Sequence, residues 1–361
     1  MAVYFVFFAF LLLGLLPDPT KKSRAYIHLV FLLLFIIIGF RDISVGTDTL
    51  SYVEDFTYYS RLSWGEIVHD AMTHKEPVFH LIVGLLSRIT SNYTFYLCFW
   101  ALFPVIALHS FFNNELRSKI DVTIGVIVFF ILGLFAFFVA GIRQTAAISV
   151  LLMSYKYLKR LEQTNLRQLF KNGTFIKFAL LFILAISLHN SSLIFALALF
   201  VRFVKVRWWF IFVPVGLFFI GNYVDANLLN NWAQFVFEET YHQYGTSYES
   251  SLSIAGFLMQ LILFVICFLQ KDELIKENPD NQALLVFALL GLVFQSMVGI
   301  IAEMYRVSFY FGMFNMILVP RALAIYKKGP IGSVAYLAFI LGSLFYLFVL
   351  SSGNLTEYKF V

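Results

Sequence analysis

From Ile120 to Arg143 the chain reads IDVTIGVIVFFILGLFAFFVAGIR. Asp121 lies at its start and Arg143 closes it, with no charge between them. A helix rises about 1.5 Å per residue, so about 20 apolar residues cross the hydrocarbon layer of a bilayer. This run has that length.

Runs of the same kind fill almost the whole chain, near 2–16, 25–40, 93–112, 120–140, 142–158, 174–188, 190–203, 206–221, 252–270, 281–302, 305–326 and 331–350. Of the 361 residues, 60% are hydrophobic and 13% charged, where a soluble domain keeps about a quarter charged. The sequence therefore predicts an all-α polytopic integral membrane protein of about twelve transmembrane helices, one membrane-embedded domain over 1–361. Pro77 to Thr90 is apolar but short, and Arg88 interrupts it. It is expected to be a re-entrant or interfacial helix near 77–90. The first run lacks a basic flank and a small-residue cleavage site, as a retained helix would. Cys98 and Cys267 sit inside apolar runs and read as packing residues.

The net charge of +5 is orientation charge in such a chain, not a nucleic-acid footprint, because Lys and Arg collect in cytoplasmic loops. With the N-terminus placed outside, one set of loops takes most of the 26 basic residues, including Lys156, Lys159, Arg160, Arg167, Lys171 and Lys177. The opposite face keeps only Arg41, Arg61, Lys75, Arg88, Arg143, Arg306 and Lys359. Both termini are then expected outside. Two longer outer loops follow, about 41–77, which is acidic, and 222–251, rich in Tyr and Trp. Aromatic faces beside carboxylates suit sugar rings, and they equally suit an interfacial aromatic belt.

Four groups at the outer helix ends need a reason to be there. Arg41 follows the second run, Arg143 and His189 sit at hairpin tips, and Arg306 lies between two late runs. Two full spans need roughly 40 residues. The hairpin from Ile120 to Leu158 has none to spare, and that from Thr174 to Phe203 is shorter still. Polar tips at that depth must be packed in protein or line a wet cavity. A guanidinium fork pairs bidentately with phosphate oxygens, so a lipid diphosphate is the natural ligand for such arginines. The plainer alternative is pairing with nearby acids or snorkelling to lipid headgroups. His189 suits proton transfer, and Asp48, Glu76 and Glu303 are carboxylates reachable from the same side; the residues alone do not choose the base. No Gly-rich phosphate loop, Asp-x-Asp pair or His/Cys metal cluster stands out, so neither a nucleotide, a metal nor another cofactor is expected. The Asn-x-Ser/Thr triplets at Asn92, Asn172, Asn190 and Asn354 read as helix caps.

At these same positions the sequence resembles the EpsG-like family of Wzy-type polysaccharide polymerases. The resemblance runs through Gly39-Phe40-Arg41-Asp42, Val45-Gly46-Thr47-Asp48-Thr49 with Tyr52 and Phe56, Glu76-Pro77, and Gly141-Ile142-Arg143-Gln144 with Ala146-Ala147. It continues in His189-Asn190-Ser191-Ser192 and in Tyr305-Arg306 with Tyr310-Phe311, so it covers nearly the whole chain in order. It implies a glycosyltransferase that joins undecaprenyl-diphosphate-linked repeat units at the outer face of a bacterial inner membrane, for exopolysaccharide or O-antigen. By position it implies that Arg41, Arg143 and Arg306 hold the diphosphate, and that Asp48 and His189 bind or activate the acceptor. Glu76, Glu303 and Tyr305 are further acceptor-binding candidates. The partners implied are the lipid-linked oligosaccharide, membrane lipid and a chain-length regulator of the pathway, with no nucleic acid. A flippase for the same lipid is the main alternative, but it would place polar residues through the midplane. An acyl-modifying membrane transferase is a third.

Overall fold

The computed structural model describes residues 2–16, 18–162, 173–223, 249–327, 332–350 and 358–361, without side chains for 249–253. The described residues are helical almost throughout, with no strand among them beyond one isolated bridge between Arg41 and Phe360. They fall into two compact units, Met1–Ile194 with Leu341–Val361, and Phe195–Ile340.

The first unit carries α1 (Ala2–Leu13), α2 (Arg24–Gly39), α3 (Thr49–Tyr59), α4 (Trp64–Thr73) and α5 (Pro77–Ile89). It goes on with α6 (Tyr93–Glu115), α7 (Lys119–Ile131), α8 (Leu134–Ala140), α9 (Ile142–Glu162) and α10 (Gly173–Leu188). The opening stretch Ile120–Ala140 is two helices, α7 and α8, bent by 63°. Gly133 makes the bend, with φ at +74°, a left-handed value that glycine adopts without Cβ strain. Phe130 stacks on Phe135 across it, and Tyr4 and Phe8 of α1 close against the same rings. Asn92 caps α6, its side chain accepting from the Thr94 and Phe95 N–H groups, as its sequence context suggested.

In the second unit a ten-residue 3-10 helix (Asn190–Leu199), begun at the end of the first unit, gives way to shorter 3-10 turns and α11 (Phe212–Tyr223). After them come α12 (Glu249–Leu269), α13 (Lys271–Glu277), α14 (Asn281–Ser296), α15 (Met304–Gly312), α16 (Asn315–Tyr326) and α17 (Gly332–Phe345), whose residues from Leu341 onward are counted with the first unit. Lipid tails give helices no hydrophobic reason to associate, so close backbone approach and polar contacts do that work. Gly291 of α14 meets Gly312 of α15 so closely that a Cβ would stand 2.8 Å from the Gly312 nitrogen. Beside it, buried Ser308 donates to Gln295 Oε1 at 3.1 Å.

The apolar runs are present, but several are shorter or more broken than full spans. Among the described residues two helices are long and apolar enough to cross a membrane, Tyr93–Glu115 and Gly332–Leu350. Three bent pairs raise that to five if each is one span, and seven further apolar helices have 10–17 residues. Length and apolarity alone thus give fewer crossings than the twelve runs imply. Bends such as that at Gly133 divide a run that sequence reads as continuous. The short helix near 77–90 is found as α5. The acidic stretch 41–77, expected to be a loop, contains two helices, α3 and α4. The loop 222–251, except for Asn222, Tyr223 and the start of α12, lies outside the described residues.

Candidate functional site

Glu76 ends the turn after α4, directly before Pro77. Proline fits the first helical position because the N–H it lacks would be unpaired there anyway. The Glu76 side chain makes no bond to its own helix. It turns instead toward two tips brought from far along the chain.

Its Oε1 bonds His189 Nδ1 and accepts from the Asn190 N–H at 3.4 Å. Its Oε2 accepts from Arg143 Nη1 at 2.8 Å. The Glu76 side chain is 10% exposed, that of His189 23% and that of Arg143 41%, so the acid is the buried hub of the three. Burial alone would raise the Glu76 carboxyl, but the bond and charge of His189, then Arg143, hold it below its ordinary value. It is therefore a carboxylate with both oxygens engaged. His189 Nε2 and Arg143 Nη2 make no bond among the described residues.

Each tip is fixed by its own element. His189 follows α10, its N–H donating to Ala185 O at 2.9 Å, and the 3-10 helix starts behind it. Arg143 stands in the first turn of α9 after Gly141, where a Cβ would lie 2.9 Å from the Phe137 ring. Its guanidinium lies over the rings of Tyr52 and Phe79, 5.7 and 5.9 Å from their centroids. Arg143 Nε reaches Tyr52 Oη at 3.5 Å. Burial raises the Tyr52 phenol, which stays protonated beside the cation.

Asp48 precedes α3, partly exposed, with no side-chain bond to its helix. Tyr52 stands one turn further, its N–H donating to Asp48 O at 3.1 Å. The Gly46 turn before it has φ at +96° and packs on the end of α8, where a Cβ would stand 3.0 Å from Val139 Cγ1. Thr49 closes the turn by donating to Val45 O at 2.7 Å. The Val45-Gly46-Thr47-Asp48-Thr49 pattern thus has a local mechanical meaning.

Arg41 has a different place from the one the sequence suggested. It is 1% exposed, and both its terminal nitrogens donate to backbone carbonyls, Nη1 to Ile38 and Nη2 to Val139 at 2.8 Å. Arg41 thereby joins the ends of α2 and α8 through its two terminal nitrogens, while its buried Nε has no partner among the described residues. The flanking backbone pairs with the last described residues, Asp42 N–H to Lys359 O at 2.9 Å and Val361 N–H to Phe40 O at 3.1 Å. Arg306, Tyr305 and Glu303 belong to the second unit. Glu303 precedes α15, and exposed Arg306 donates through Nε to Tyr305 Oη at 2.8 Å.

In the sequence Glu76 stands as one acid among several. What singles it out is contact across 113 residues to His189 and 67 to Arg143, which local spacing does not show. Tertiary structure also gathers a group of metal-ligand type, Asp70, His74 and His80. The Asp-x-x-x-His spacing on one helix was the available signal.

A family model matches residues 24–360 and is that of the EpsG family. The chain belongs to the EpsG family. Proteins of this family are Wzy-type polysaccharide polymerases of the membrane, so this EpsG-family chain is a membrane polysaccharide polymerase in that general sense. No curated protein and no solved structure matches it.

Proposed function

We propose that this protein transfers a growing glycan from its undecaprenyl diphosphate to a hydroxyl of an incoming lipid-linked repeat unit, at the extracytoplasmic face of a bacterial inner membrane. The observation that carries the reading is the Glu76 carboxylate bridging His189 and Arg143. A carboxylate on Nδ1 fixes the imidazole tautomer and leaves Nε2 as an acceptor for a proton. Glu76 is then the group that orients the base, and His189 is the base.

In the step proposed, the acceptor hydroxyl gives its proton to His189 Nε2 and its oxygen bonds to the anomeric carbon. The bond from that carbon to the diphosphate oxygen breaks, and its electron pair leaves with the lipid diphosphate. Arg143 carries the developing negative charge through its outward guanidinium edge, an interaction that strengthens in the transition state. Arg306 is a second proposed phosphate-binding guanidinium, in its own unit. Asp48, partly exposed one turn from Tyr52, is proposed to hydrogen-bond the acceptor sugar; Glu303 and Tyr305 are proposed sugar-binding residues of their own unit. A glycosyl diphosphate is already activated, so the reaction asks nothing more than these roles. The basic-residue asymmetry supports the outward orientation with both termini outside, and a chain-length regulator is an expected partner.

The test is where the substrate accumulates. Deleting the protein should leave single repeat units on lipid diphosphate, reachable in spheroplasts by a glycosidase added outside. Units protected until the membrane is permeabilised would overturn the polymerase reading in favour of a flippase.

A further inference from the structure

Asp70 and His74 lie one helical turn apart at the end of α4, and His80 lies in the first turn of α5. One donor atom from each comes within 4.8 Å of the other two. His74 Nε2 stands 3.4 Å from Asp70 Oδ1. Donors around a tetrahedral zinc ion stand about 3.4 Å apart, given bonds of about 2.0–2.1 Å. The His74 and His80 rings are stacked, with centroids 4.1 Å apart and planes at 13°, so one ring must turn for both in-plane lone pairs to meet on one ion.

The surroundings are built around this group. The Tyr59 hydroxyl bonds Asp70 Oδ2 and, at 2.8 Å, His80 Nδ1. Each of these two side chains thus has one polar atom anchored and a second left for an ion, the arrangement that orients metal-ligating imidazoles and carboxylates. Gly84 of α5 lets α4 approach closely, since a Cβ there would stand 2.3 Å from Ile67 Cγ2 and 3.4 Å from the Tyr59 ring.

We propose that Asp70, His74 and His80 form a binding site for a single divalent ion of the zinc class, with one coordination position open to water. Two imidazoles and a carboxylate are the ligand chemistry of such ions. The ion clamps α4 to α5 across Lys75 and Glu76. His80 is one turn from Glu76, its N–H donating to Glu76 O at 3.4 Å. The clamp therefore sets the turn that presents Glu76 to His189. Metal binding is independent of the catalytic reading, whereas its effect on turnover rests on that reading.

The probe is Co²⁺, titrated into detergent-purified protein stripped with a chelator and followed by the visible bands of tetrahedral cobalt, then displaced with Zn²⁺. The wild type should take up one ion per chain and gain thermal stability with it. His74→Gln changes an exposed position at a helix end, so the variant should fold. Its cobalt affinity should fall by at least about 100-fold, more than the loss of an outer partner costs, while His28→Gln, in α2, leaves affinity unchanged. Absence of stoichiometric binding in the wild type, or equal affinity in His74→Gln, would overturn the proposal. Metal binding without any effect of the ion on turnover would leave the site standing and remove its link to Glu76.

Discussion

Glu76 and His189 are 113 residues apart in sequence and joined carboxylate to Nδ1 in the structure, with Arg143 on the other carboxylate oxygen. This contact converts two weak sequence signals, a Glu-Pro turn and a lone histidine at a hairpin tip, into one unit. It also gives the unit a direction. The acid is buried and paired, and the imidazole and guanidinium carry its influence outward.

If Glu76 acts only through His189, the two should behave as one catalytic element. Glu76→Gln should lower polymerisation by about 10²–10⁴-fold, the usual worth of a positioned general base. The double variant Glu76→Gln/His189→Ala should then be no slower than His189→Ala alone. Losses that multiply across the double variant would assign the two residues separate roles.

Arg143 is expected to need its planar fork. With Lys, one edge can pair with Glu76 or with phosphate, but not both, and the Tyr52 contact is lost. Arg143→Lys should lose roughly 10–100-fold in activity, from a charged hydrogen bond worth about 1.5–3 kcal/mol. The check is turnover on lipid-linked repeat units at matched protein levels. Full activity in the Lys variant would mean that charge alone suffices.

Arg41 should matter for stability more than for chemistry. Arg41→Leu removes a buried donor from the Ile38 and Val139 carbonyls, of which Val139 keeps the Thr49 hydroxyl at 3.4 Å, and a carbonyl left unpaired costs about 1–3 kcal/mol. Thermal unfolding in detergent should move down while the residual folded enzyme keeps its KM for the lipid donor. An unshifted midpoint with a raised KM would return Arg41 to the diphosphate site.

Gly84→Val tests the close packing of α4 on α5. The new side chain must displace Ile67, an overpacking that typically costs about 1–3 kcal/mol. A lowered midpoint together with reduced turnover is expected, because α5 begins at the Glu76 turn. Unchanged stability would show that the two helices are free to part.

Class and membrane character were legible because they depend on composition and run length, which are local. The positions of His189 and Arg143 at tips were legible for the same reason. The bend at Gly133 was not, since an isolated glycine in an apolar run looks like any other. Helix α4 had a readable start: Ser63-Trp64-Gly65-Glu66 matches a capping box, and both of its reciprocal bonds are present. The backbone contacts of Arg41 were not legible, because an arginine beside an aspartate at a helix end gives no sign that carbonyls of two helices will take up its terminal nitrogens. Asp42 instead accepts from the Ser44 N–H and hydroxyl. Glu76 was under-read because its value lies in partners that only tertiary structure supplies.

The most direct test is the turnover of His189→Ala set beside its binding of the lipid-linked donor. Purified variant and wild type would be given lipid-diphosphate-linked repeat units, with chain growth followed in a single turnover and donor binding measured separately. The chemical step should fall by about 10²–10⁴-fold with donor affinity essentially unchanged. Wild-type chain growth in His189→Ala would contradict it.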